Sequence, residues 1–138
     1  MYFYEIKVKY TKQTGEDNPV AVPELYLVEG INCTDVEGRL IEAITPFVAG
    51  ELEVLSCKTV HFFDIITSPE GSYWFKVRAE LIDVDDSGKE RRKAVSILVQ
   101  STDIAAALKS AKQYLSSYNG EITALTMTKI MDVLRAVN

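Results

Sequence analysis

Gly50-Glu51-Leu52-Glu53-Val54-Leu55-Ser56-Cys57-Lys58-Thr59-Val60 and Gly120-Glu121-Ile122-Thr123-Ala124-Leu125-Thr126-Met127-Thr128-Lys129-Ile130 align at a constant separation of 70 residues. The match extends upstream. Thr34-Asp35-Val36 corresponds to Thr102-Asp103-Ile104, Leu27-Val28 to Leu98-Val99, and Lys7-Val8-Lys9 to Lys76-Val77-Arg78, the separation drifting only between 68 and 71. Four blocks in the same order mark one unit written twice. We therefore expect a single domain over 1–138, built from repeat units 2–66 and 72–134 and joined by Thr67-Ser68-Pro69-Glu70-Gly71.

Within each copy the hydrophobic period defines the elements. Tyr2, Tyr4, Ile6, Val8 and Tyr10 alternate with Phe3, Glu5, Lys7, Lys9 and Thr11, the pattern of a half-buried strand. Tyr73, Phe75, Val77, Ala79 and Leu81 repeat it, with Trp74, Lys76, Arg78 and Glu80 facing away. Polar turns at Gln13–Asn18 and Asp85–Lys89 lead each strand into a second one, ending at Leu27-Val28 or Leu98-Val99, so each pair is a hairpin. Thr34-Asp35-Val36-Glu37 has the form of a capping box opening a helix. The stripe Val36, Leu40, Ala43 and Phe47 is matched by Ile104, Leu108, Ala111 and Leu115 at a separation of 68. Pro46 disturbs the end of the first helix, and Gly50 and Gly120 lie where the chain turns into its last strand. The expected fold is α+β, with duplicated β-β-α-β units, about six mainly antiparallel strands and two helices on one face of the sheet.

Composition bounds what such a domain can do. The chain has 138 residues, 47% hydrophobic and 25% charged, and a net charge of −5. That length supports a core without metal or disulfide staples. The charge argues against a protein that coats duplex DNA through overall positive potential. No apolar run approaches the roughly 18 to 20 residues of a membrane span, and Met1–Lys7 lacks a basic leader with an apolar run, so no membrane association and a cytoplasmic location are expected. Cys33 and Cys57 have neither the number nor the spacing of a disulfide framework or a zinc site, and are expected to be reduced thiols.

Signals for catalysis are weak. His61 is the only histidine, and four residues along one strand place it about 13 Å from Cys57, too far for a nucleophile–base pair. No Gly-rich phosphate loop occurs. Asp83-Val84-Asp85-Asp86-Ser87-Gly88 resembles the opening of a calcium loop, but Ala94 stands where the bidentate Glu is required, and a hairpin turn explains the residues better. No catalytic residue, metal or cofactor is expected, and the domain is read as non-enzymatic.

The outward face of the two leading strands carries the strongest functional signal. Phe3, Lys7 and Lys9 come from one copy and Trp74, Lys76 and Arg78 from the other, with Lys89, Arg91, Arg92 and Lys93 opening the next strand. Aromatic rings stack on bases and cations hold phosphates, which is how open sheets bind single-stranded nucleic acid. Glu5 and Glu80 interrupt that face. The alternative is a protein partner or homodimer contact formed by Phe3, Trp74 and Ile82 exposed together.

The segments Tyr4–Tyr10, Tyr26–Glu29, Gly50–Val54, Trp74–Val77, Leu98–Gln100 and Thr128–Val133 together resemble an uncharacterised family of about this length from Bacteroidetes and their phages. The resemblance covers nearly the whole chain. It implies an accessory role in nucleic-acid metabolism or phage regulation, and carries over no catalytic residue.

Overall fold

The structure, a computed structural model, describes residues 1–12 and 21–136. In chain order the elements are β1 (Tyr2–Lys12), β2 (Ala21–Gly30), α1 (Cys33–Ile44), β3 (Val48–Val60), β4 (Asp64–Ile66), β5 (Tyr73–Val84), β6 (Glu90–Ser101), α2 (Ile104–Leu115), β7 (Gly120–Met127) and β8 (Ile130–Leu134). The α+β class is as expected. The sheet is not: eight strands form two four-stranded sheets, β3-β1-β2-β8 and β4-β6-β5-β7, each with its own helix. The difference arises because the chain breaks after Val60 and after Met127 and restarts as a short separate strand each time. The turn expected at Gln13–Asn18 lies outside the described residues.

The two compact units are Met1–His61 with the segment from Lys129 onward, and Phe62–Thr128. They are not the two sequence copies. β4, the last strand of the first copy, pairs in parallel with β6, while β8, the last strand of the second, pairs in parallel with β2. Each copy thus gives its final strand to the sheet of the other.

Strand register revises the alignment of the copies. Tyr2 opposes Gly30 and Tyr73 opposes Ser101, a separation of 71 on both strands. In unit 1 the register slips between Lys7 and Val8, leaving Leu55 as an extra residue, and in unit 2 between Arg78 and Ala79, leaving Thr123. These are equivalent β-bulges, separated by 71 on one strand and 68 on its partner. The exchanged strands keep 68: Tyr26, Leu27 and Val28 meet Asp132, Val133 and Leu134 as Ile97, Leu98 and Val99 meet Asp64, Ile65 and Ile66. Three fewer residues in the second copy, between helix and bulge, account for the change.

The same shift corrects the helix faces. α1 buries Val36, Leu40 and Ile44, and α2 buries Ala107, Ala111 and Leu115, 71 residues on. Ala43, Phe47 and Ile104, expected inside, are exposed, and Leu108 is half-buried. The unit 1 core sets α1 against Tyr4, Ile6, Val8, Tyr10, Tyr26 and Val28, and the unit 2 core sets α2 against Phe75, Val77, Ala79, Ile97 and Val99. Strand alternation was therefore legible, except that the terminal Tyr2 and Tyr73 are exposed.

α1 starts before Thr34. The Asn32 side chain accepts from the backbone N–H of Asp35 at 2.9 Å, and the Asp35 carboxylate accepts from that of Ile31 at 3.0 Å. This reciprocal cap is two residues upstream of the expected one. Asp103 caps α2 by accepting from Ala106 N–H at 2.8 Å. Pro46 occupies a 3-10 turn directly after α1, as its missing N–H requires. Gly30 is needed for close approach, since a Cβ there would strike Val36 and the Asp35 carboxylate.

Cys33 and Cys57 are joined as a disulfide, contrary to the expectation of free thiols. Their Cα atoms are 6.1 Å apart, within the normal span, because the first residue of α1 lies over β3. Spacing of 24 residues in sequence gave no signal of this proximity. Asp83 and Val84 end β5 and Asp85–Gly88 form a hairpin turn: Asp85 accepts from the hydroxyl and N–H of Ser87 and the N–H of Lys89, and Gly88 has φ +83°. Those bonds, the Ser87 hydroxyl foremost, lower the pKa of Asp85.

A cationic cleft on the first sheet

Lys7 and Lys9 stand on the face of sheet 1 turned away from α1, and Lys76 and Arg78 on the corresponding face of sheet 2. All four are exposed, and among the described residues none has an ion pair. The remaining expected residues differ. Trp74 is 4% exposed, so its ring does not belong to a surface on which a base could stack. Leu98, on the same face, is fully buried, as is Leu27 on sheet 1. Phe3 and Ile82 are half-buried. The guanidinium of Arg135 lies 5.8 Å from the centre of the Phe3 ring, within cation–π range.

Two of the four cations in the basic run opening β6, Arg91 and Arg92, are ion-paired. Arg91 meets Asp85 at 3.7 Å. Arg92 reaches Glu80 at 3.0 Å, Glu121 at 3.1 Å and Glu90 at 3.6 Å, and these carboxylates raise its pKa, the Glu80 hydrogen bond most. Lys9 sits in a separate hollow beside Glu51 and Glu53.

Lys7 instead lines a cleft of about 500 Å³ in unit 1. Its neighbours there include Lys58 and Ser56 from β3, Leu25 from β2, and Lys129 and Met131 at β8. β1 places Lys7 directly opposite both Leu25 and Ser56, and the bulge at Leu55 brings Ser56 into that register. Parallel pairing of β8 with β2 then delivers Lys129 and Met131 from the far end of the chain. Lys58 is paired with Glu5 at 3.6 Å, while Lys7 and Lys129 have no carboxylate within ion-pair distance among the described residues.

Glu24 also borders the cleft and is 6% exposed. Its carboxylate accepts from the hydroxyls of Tyr10 at 2.5 Å and Tyr26 at 3.2 Å. Burial and the Glu24 carboxylate raise both phenol pKa values, burial contributing most. The equivalents in unit 2 are Leu81, Val95 and Ile97, so this polar cluster belongs to unit 1 alone.

The cleft sets Lys7 and Lys129, neither ion-paired among the described residues, beside the Lys58–Glu5 pair, the Ser56 hydroxyl and the apolar side chains of Leu25 and Met131. That is the chemistry of a site for an anionic ligand with an apolar part, and its size lies within the range of small-ligand pockets. Sequence reasoning found Lys7 but missed Ser56, Lys58, Lys129 and Met131. Alternation along β3 signals the first two, but nothing local signals that β8 lies beside β2. Among the described residues, no three His, Cys, Asp or Glu side chains are grouped to hold a metal ion, and no helix is long and apolar enough to cross a membrane.

An α+β protein of two sheet–helix units, with a cationic cleft on a helix-free sheet face, is the class that these observations define. The chain belongs to the family described as Domain of unknown function (DUF4494), whose model matches residues 2–136. No curated protein matches it.

Proposed function

We propose that this is a cytoplasmic, non-enzymatic accessory domain, of phage or mobile-element context, that binds single-stranded nucleic acid through the helix-free face of sheet 1. The observation that carries this reading is that Lys7 and Lys129, neither ion-paired among the described residues, line one cleft with Leu25 and Met131. A phosphate would lie between the two ammonium groups, with Ser56 as a further donor, while sugar and base rest on the aliphatic side chains. Because Trp74 is buried, stacking on that ring is not part of the binding. Affinity then comes chiefly from phosphate contacts and is strongly salt-dependent.

Anisotropy of a labelled single-stranded oligothymidylate, titrated at low and near-physiological salt, tests the proposal. Binding should weaken with salt, and Lys7→Glu and Lys129→Glu should each reduce it. Each lost phosphate contact should flatten the log–log salt slope by about 0.7. Absence of binding at low salt, or binding unaffected by both substitutions, overturns the reading.

A further inference from the structure

We propose that Cys33 and Cys57 form a reversible thiol–disulfide exchange site that locks edge strand β3, and with it Ser56 and Lys58, in the cleft-forming position. The coupling follows from strand geometry. Cys57 lies between Ser56 and Lys58, so its side chain points to the α1 side of the sheet while theirs point to the cleft. Among the described residues β3 is an edge strand whose strand partner is β1, and that pairing is interrupted by the bulge at Leu55 beside the cleft. The disulfide is a second, covalent attachment for this segment, tying it to the first residue of α1.

Unit 2 has Ile104 and Leu125 at the equivalent positions, so the link is particular to the unit that holds the cleft. Both cysteines are partly exposed, which admits a reductant. An incoming dithiol attacks the Cys57 sulfur as thiolate, forming a mixed disulfide while Cys33 departs as thiolate. The amino end of α1 stabilises the charge on that departing sulfur. The dithiol's second thiolate then resolves the mixed disulfide. Two electrons pass to the protein, the dithiol leaves as its own disulfide, and both cysteines take up protons.

The test uses the full chain, oxidised or reduced with dithiothreitol, beside a Cys33→Ser, Cys57→Ser double variant. Alkylation followed by mass measurement reports the thiol state, amide hydrogen exchange reports β3, and anisotropy with the oligothymidylate reports the cleft. The expected result is a disulfide that opens and re-forms, exchange at 54–60 rising about tenfold on reduction, and similar exchange in the double variant. Oligothymidylate affinity should fall about fivefold in both reduced forms. Two alkylatable thiols in protein treated with oxidised glutathione, or exchange in β3 unchanged by reduction, overturns the lock. This inference rests on the proposed function for its ligand only: if neither form binds the oligonucleotide, that function fails, and the exchange data still judge the lock.

Discussion

The hydroxyl of Tyr10 donates to the carboxylate of Glu24 at 2.5 Å, at a point where the other sheet sets Leu81 beside Val95. Folding buries both groups, so Tyr10 and Tyr26 hold their protons more tightly in the folded state than in the unfolded chain. Tyr114, which donates to Asp64 at 2.7 Å, behaves likewise in unit 2. A raised pKa stabilises the fold fully below the unfolded value of 10.0, and that contribution is lost as pH rises above it. Tyrosinate absorbance and circular dichroism followed together should therefore show some tyrosines ionising only as the structure unfolds. Replacing Tyr26 by Phe should lower stability at neutral pH by about 1 kcal/mol, the worth of one hydrogen bond.

Trp74 is the chain's single tryptophan and is 4% exposed. Its fluorescence should be blue-shifted and shielded from acrylamide in the native protein, and Trp74→Ala should destabilise by about 3 to 5 kcal/mol. Emission like that of free tryptophan would contradict its burial. A Trp74 variant is consequently a probe of folding, and the lysines are the probes of binding.

Arg92 bridges Glu80 and Glu121, which stand directly opposite each other on β5 and β7. Arg92→Ala leaves two like charges facing across the strands, an unfavourable pair. The thermal midpoint should drop at low salt, recover in high salt, and recover without salt when Glu121→Gln is added. A drop insensitive to both would assign Arg92 a packing role instead.

Gly30 and Gly38 should respond oppositely to alanine. A Cβ on Gly30 meets Val36 and the Asp35 carboxylate, so Gly30→Ala should cost about 1 to 3 kcal/mol. Gly38 lies within α1 with nothing near the position of a Cβ, so Gly38→Ala should stabilise by about 0.5 to 1 kcal/mol. Chemical denaturation of the two variants checks both signs.

Local patterns carried much of the fold. Alternation in Tyr4–Tyr10 and Phe75–Leu81 predicted the inward faces, and Asp85-Asp86-Ser87-Gly88 predicted its hairpin. Short-range sequence signals failed where two choices fit equally well: Thr34 and Asn32 are both good caps, and a helix register based on Ile104 is as apolar as the correct one based on Ala107. Similarity at a separation of 70 in the last third blurred the true pair of separations, 71 and 68. The cleft was legible only through Lys7, because Lys129 reaches it by a pairing with no local signature, and the cysteine pair for the same reason.

The crossing of final strands also orders events in time. β2 is complete by Gly30, yet the strand that closes its outer edge begins at Ile130, a hundred residues later. A nascent chain emerging from the ribosome therefore finishes its second sheet before its first, and until then presents an unpaired β2 edge to any extended peptide nearby. Sheet 1, cleft included, is thus completed only after sheet 2, so a chain truncated before Lys129 lacks one wall of the cleft even with Lys7, Ser56 and Lys58 in place.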